Sequence, residues 1–122
     1  MDAEGVAEAL FAAIERGDVD AVAALYADEA VIWHNFDGIE QPRDQNLLVL
    51  AWMTRNVSNL HYEEVKRYEI DGGFVQQHVL RGITKSGDEL RVPSCLVVQL
   101  HHGRITRIDE YLDTAQLSAL TT

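Results

Sequence analysis

The second half of the chain alternates apolar and polar residues with a period of two. From Leu60 to Asp113 four strand-like runs are separated by three short turn signals. "HYEEVKRYEI" closes at Asp71–Gly73, "FVQQHVLRGIT" at "KSGD" and "ELRVPSCLVVQL" at "HHGR", after which "ITRIDEYLD" follows. Runs joined by turns this tight can only pair antiparallel, because parallel neighbours need a long crossover. Long, hairpin-linked strands also twist, so the sheet is expected to curl. Pro93, inside the third long run, reads as a bulge or bend that would assist the curling.

The first half has a helical period instead. In Ala3 to Arg16, Val6, Leu10, Ala13 and Ile14 fall on one helical face, with Glu4, Glu8 and Glu15 elsewhere. Gly17 ends this helix, and Asp18 is suited to N-cap a second, short one through Tyr26, with Tyr26 in the helix core. "AVIWH" is a strand and "DGIEQP" a loop, with Pro42 in the first turn of a third helix over about 43–56. That helix buries Leu47, Leu50, Ala51 and Thr54. Thr114 to Leu120 forms a short terminal helix with Thr114 as its N-cap. Helices segregated from an antiparallel sheet indicate an α+β fold in one domain, 1–122, with the helices laid into the concave side and a tapered pocket left between.

Composition narrows the function. A net charge of −10 on 122 residues opposes binding to nucleic acid or to an anionic membrane. No apolar run approaches the about 20 residues that span a bilayer. The single Cys95 cannot form an internal disulfide, and the N-terminus lacks the basic-then-apolar pattern of a signal peptide, so a cytoplasmic location is expected. No metal-ligand spacing and no phosphate-cradling glycine loop is present, which predicts neither metal nor cofactor.

Two passages, "ALYADEAVIWHN" and "HGRITRIDEYLD", together with the order of elements, resemble the SnoaL-like branch of the nuclear transport factor 2-like superfamily. The resemblance covers nearly the whole chain. It implies a conical α+β fold shared by ketosteroid isomerases, polyketide cyclases and limonene-1,2-epoxide hydrolases. The water-holding Tyr and Asn of the epoxide hydrolases match Trp33 and Asn35. Their Arg and Asp match Gln76 and His78, and their second Asp matches Glu110. The general-base Asp of the isomerases matches Asn35. With most of these residue types changed, the resemblance implies a pocket and acid/base chemistry more than either named reaction.

Alternation, taken by itself, groups the same residues. Val31, Trp33 and Asn35 share a strand face, as do Phe74, Gln76, His78 and Leu80, and Thr106, Ile108, Glu110 and Leu112. Apolar walls with a few polar groups are the pattern of a ligand cavity. The expected catalytic set is His78 as general acid/base, Glu110 as its orienting partner, and Asn35 with Gln76 positioning substrate or water. Trp33, Phe74, Gln76, Leu80, Ile108 and Leu112 would bind substrate, and His34 would lie outside the cavity. The expected function is a small cofactor-independent enzyme acting on a compact hydrophobic substrate as an isomerase, cyclase or hydrolase. The alternative is a protein that binds such a ligand without turnover, with His78 a buried histidine satisfied by Glu110. Val75, Val79 and Ile83, with Cys95, Val97 and Gln99, make the reverse face apolar as well, which suggests a homodimer.

Overall fold

A computed structural model of the chain describes residues 1–121, so Thr122 of the expected 1–122 unit lies outside the described residues. Helix α1 (Ala3–Glu15) begins where the Asp2 side chain accepts from Gly5 N, and buries Val6, Ala7, Leu10, Phe11 and Ala13. It stops at Gly17, whose φ of +72° suits glycine best. Asp18 then caps α2 (Val19–Leu25) by accepting from Ala21 N. Tyr26 does not continue that helix. It opens strand β1 (Tyr26–His34), which places its ring on the sheet rather than in a helix core. The expected loop after β1 holds a further short strand, β2 (Glu40–Pro42), antiparallel to β1. Helix α3 (Arg43–Asn56) follows directly.

Strands β3 (Val57–Ile70), β4 (Gly73–Thr84), β5 (Glu89–His101) and β6 (Arg104–Leu112) form the meander that the period-two pattern requires. The sheet order is β2-β1-β6-β5-β4-β3, antiparallel except where β1 lies parallel to β6. That parallel pair is possible because α3 and the whole meander intervene between the two strands. Helices α1, α2 and α3 cover the concave side, where Phe11, Phe74, Leu96, Val98, Ile105 and Ile108 form the main core with the helix residues.

Irregularities supply the curl, though not where Pro93 suggested. Pro93 stays in register with Val79 of β4 and lies just past the end of β6, whose pairing with β5 starts at Ser94. A missing N–H is tolerated where a strand is at an edge. The irregularities fall instead on β3, at Asn59 and Glu64, both with positive φ (55° and 54°), between β5 and β6 near Leu100, and on β1 between Tyr26 and Val31. The terminal segment is a 3-10 helix over Thr114–Thr121 that packs on β5. Its cap is Asp113, which accepts from Ala115 N, rather than Thr114.

Candidate active site

Between the concave face and the helices lies an inner chamber of about 100 Å³. Phe11 and Ile14 of α1, Leu50 and Met53 of α3, and Leu80, Leu96 and Ile108 of the sheet supply its apolar walls. An outer chamber of about 230 Å³ adjoins it, walled by Trp52, Leu90, Val92 and Leu112 and roofed by Leu117 and Leu120 of the terminal helix. His34, Val49, Met53, Leu80 and Glu110 line both, so the two chambers meet at a waist formed partly by an imidazole and a carboxylate.

The waist pair is a product of strand register. The parallel β1–β6 ladder sets Ile32 beside Ile108 and His34 beside Glu110. His34 Nε2 lies 2.9 Å from Glu110 Oε1 and donates its proton to it. Burial pulls the His34 imidazole down, but this hydrogen bond and the charges of Glu110 and Asp37 outweigh it, and the net displacement is upward. His34 Nδ1 is buried with no hydrogen-bond partner. The Glu110 side chain, by contrast, keeps 23% of its surface exposed, so the carboxylate is the more reachable half of the pair.

Around the waist stand further polar groups. The Tyr26 hydroxyl donates to Asn46 Oδ1 at 3.0 Å, and Asn46 Nδ2 reaches Gln41 Oε1 at 3.4 Å. Burial, and then the Glu110 charge, push both the Tyr26 and Tyr62 phenols up, which keeps each a neutral hydroxyl. The Tyr62 ring meets the His78 ring edge-on at 4.5 Å between centroids, and Phe11 meets it at 5.6 Å. His78 is 5% exposed; burial depresses its imidazole to about 4, against a smaller upward pull from Glu110. Its Nδ1 is 2.9 Å from Gln76 Nε2, and Gln76 Oε1 accepts from Arg67 Nε at 2.8 Å.

Set against the sequence reading, the β4 face holds: Phe74, Gln76, His78 and Leu80 all point to the concave side. His78, Leu80, Ile108 and Glu110 line the inner chamber, and Leu112 lines the outer one. Phe74 and Gln76, at 1% and 0% exposure, sit one layer behind the wall as core. His78 and Glu110 do not pair, since each is engaged elsewhere, by Gln76 and His34 respectively. The β1 face is reversed. Trp33 lies on the convex side, edge-on to Tyr111 at 5.3 Å, and Asn35 lies beyond the strand. Asn35 Oδ1 accepts from Leu112 N at 3.0 Å and so extends the ladder past the end of β1, which is a structural task. The residue expected outside, His34, is inside.

Five polar residues of the site escaped the sequence reading: Tyr26, His34, Tyr62, Asn46 and Arg67. Asn46 could have been found, since it precedes Leu50 and Met53 at helical spacing and is the one residue of α3 that is fully buried. Arg67 could not. The bulge at Glu64 sets two residues of β3 against His78 alone, so Tyr62 and Arg67, five apart, both face inward.

Among the described residues no group of three or more His, Cys, Asp or Glu side chains is placed to hold a metal ion, and no helix is long and apolar enough to cross a membrane. No curated protein matches the sequence. Among solved structures, a proposed polyketide cyclase from Xanthomonas campestris pv. campestris is similar, with a TM-score of 0.84 at 21% identity, over 98% of this chain and 96% of the other. IdmH, a proposed polyketide cyclase from Streptomyces antibioticus, gives 0.83 at 17% over the whole of both chains. A hypothetical protein with a ketosteroid isomerase-like fold from Catenulispora acidiphila, in complex with trimethylamine, gives 0.77 at 20% over 90% and 86%. At these identities the likeness speaks for the fold alone. The SnoaL-like domain model matches residues 7–108, most of the chain. With the helix-lined cone and its interior cavity, that match places the protein in the SnoaL-like domain family.

Proposed function

We propose that this protein is a cofactor-independent acid/base catalyst for a compact, mostly apolar substrate, with Glu110 as the group that takes and returns the proton. The supporting observation is the position of the His34–Glu110 pair at the waist between two apolar chambers. An ionisable pair in such surroundings is expensive to maintain, which favours a use for it. His34 holds the carboxylate in one orientation through Nε2–H, and its raised affinity for protons lets the pair keep a balancing positive charge beside the carboxylate. Glu110 then removes a proton from substrate carbon, or from a water, and delivers it back to the rearranged product. Walls of Leu50, Met53, Leu80 and Ile108 exclude bulk water while the proton is in transit.

The test is hydrogen–deuterium exchange in deuterated buffer, read by NMR, over small cyclic ketones and epoxides. Wild type is expected to exchange or convert at least one of them, and Glu110→Gln, which keeps an acceptor for His34, to lose about a hundredfold or more. Binding without exchange in the wild type would support the ligand-carrier reading instead.

We further infer that the convex face, with Trp33, Cys95, Val97 and the exposed Tyr111, is covered by a second copy of the chain. The Arg107–Asp109 ion pair on that face offers both signs of charge to a symmetric partner. A monomeric mass by light scattering at micromolar concentration would refute this.

A further inference from the structure

A line of hydrogen bonds runs behind the inner chamber and reaches none of the atoms assigned above to proton transfer. It begins on α1, where Glu4 accepts from Arg67 Nη1. Arg67 is only 17% exposed at its side chain, lies over the Phe11 ring with Cζ 5.8 Å from the centroid, and donates through Nε to Gln76 Oε1. Gln76 Nε2 in turn meets His78 Nδ1. Each partner in this line has a fixed polarity. A guanidinium has donors only and does not lose its proton, so the Gln76 atom facing it must be the carbonyl oxygen. The other end of the amide is then NH₂, which only donates. The imidazole nitrogen facing it must therefore offer a lone pair, and the single proton of neutral His78 must sit on Nε2.

We propose that Arg67, acting through Gln76, is a positioning residue that fixes His78 as a neutral imidazole protonated at Nε2, so that the inner chamber accepts ligands carrying an uncharged acceptor oxygen: a ketone, aldehyde, ether or epoxide. The ligand class rests on the reading of the chamber as the reaction site; the tautomer does not. His78 is thereby a donor rather than a base. A second proton on Nδ1 would point an N–H at the Gln76 amide, and the amide cannot turn over without aiming its NH₂ at Arg67. The charged neighbours of His78 pull in opposite directions, and burial outweighs both. Arg67 on β3 opposes protonation, Glu110 on β6 favours it, and the Tyr62 phenol on β3 stays neutral. From α1 the Phe11 ring meets the imidazole edge-on.

The geometry also relates the donor to the proposed base. Glu110 pairs with Leu96 of β5, and Leu96 with Gln76 of β4, so donor and base strands are two apart, about 10 Å across the sheet. An apolar body lying over Leu96 and Ile108 would thus place an oxygen at His78 and a carbon at Glu110.

The experiment is long-range ¹H–¹⁵N correlation NMR of the histidine side chains in the resting protein, with His78 assigned from its loss in His78→Gln. Wild type should show a bare Nδ1 and a protonated Nε2, unchanged between about pH 7.5 and pH 5.5. Gln76→Glu replaces the donor by an acceptor, so the proton should move to Nδ1 and titration should enter that range. Arg67→Lys should retain the wild-type tautomer and Arg67→Gln should give a mixture. Adding cyclohexanone should shift the Nε2–H signal, and methylcyclohexane, which lacks the oxygen, should not. A wild-type His78 protonated at Nδ1, or cationic at neutral pH, or equally responsive to both probes, overturns the proposal. These readouts need no turnover, so an inactive Glu110 would be recognised separately in the exchange assay.

Discussion

Lowering the pH should draw stability out of the fold through His78. In the unfolded chain this imidazole binds a proton below about pH 6.5, whereas in the folded chain burial holds it bare down to about 4. Between those values the unfolded state binds more protons, so stability is intact above about pH 6.5 and falls as the pH drops. Integrating the difference from about pH 7 to about pH 5 gives a loss of about 2 kcal/mol from this one group. His34 and His61 work in the opposite sense. Both are displaced upward, so what they contribute is present below about pH 6.5 and is lost as pH rises through their folded values. They and the carboxylates are common to the wild type and to His78→Gln, and they cancel in the difference. The assay is urea unfolding followed by Trp33 and Trp52 fluorescence for both proteins at both pH values. The wild type should lose about 2 kcal/mol more than the variant over this interval, whatever constant cost the substitution itself carries. Equal losses, to within about 0.5 kcal/mol, would mean that His78 is hydrated or already charged in the native state and would refute the reasoning.

Three further outcomes follow from specific contacts. Gly73→Ala should cost about 3 kcal/mol in chemical denaturation, because the new Cβ would come within 1.9 Å of the Val98 carbonyl oxygen, a backbone atom that can retreat only by opening the β4–β5 ladder. Tyr26→Phe should lower stability by about 2 kcal/mol, since it strands the oxygen of the buried Asn46 amide. Asp113→Ala removes the cap of the terminal 3-10 helix and should cost about 1 kcal/mol, with faster amide exchange confined to that segment and the outer chamber loosened beneath it.

How much of this could be read from residue order depends on where alternation keeps its phase. Along β4 and β5 the ladder runs without a break from Gly73 to Ile83, so the faces assigned to Phe74, Gln76, His78 and Leu80 were legible. On β1 both candidate faces are apolar, with Ala30 and Ile32 on one and Val31 and Trp33 on the other. Only the pairing of His34 with Glu110 across a parallel ladder decides between them. That pairing joins residues 76 apart in sequence, and local pattern carries no trace of it. On β3 the phase itself is broken, because Glu64 adopts a left-handed conformation and admits an extra residue. Arg67, which unbroken alternation would set on the face opposite Tyr62, is thereby turned inward. Tyr26 was hidden for a different reason, as it lies at the junction of a helix and a strand, where both periods fit.

Under the proposed function, the narrowing at His34 and Glu110 would also constrain the shape of the substrate. On that reading, a molecule long enough to occupy both compartments would pass the carboxylate with its reacting carbon partway along its length, a smaller group in the deeper end and a bulkier one beneath Leu117 and Leu120. Molecules that react at a tip would leave one compartment empty and forfeit the grip that it supplies.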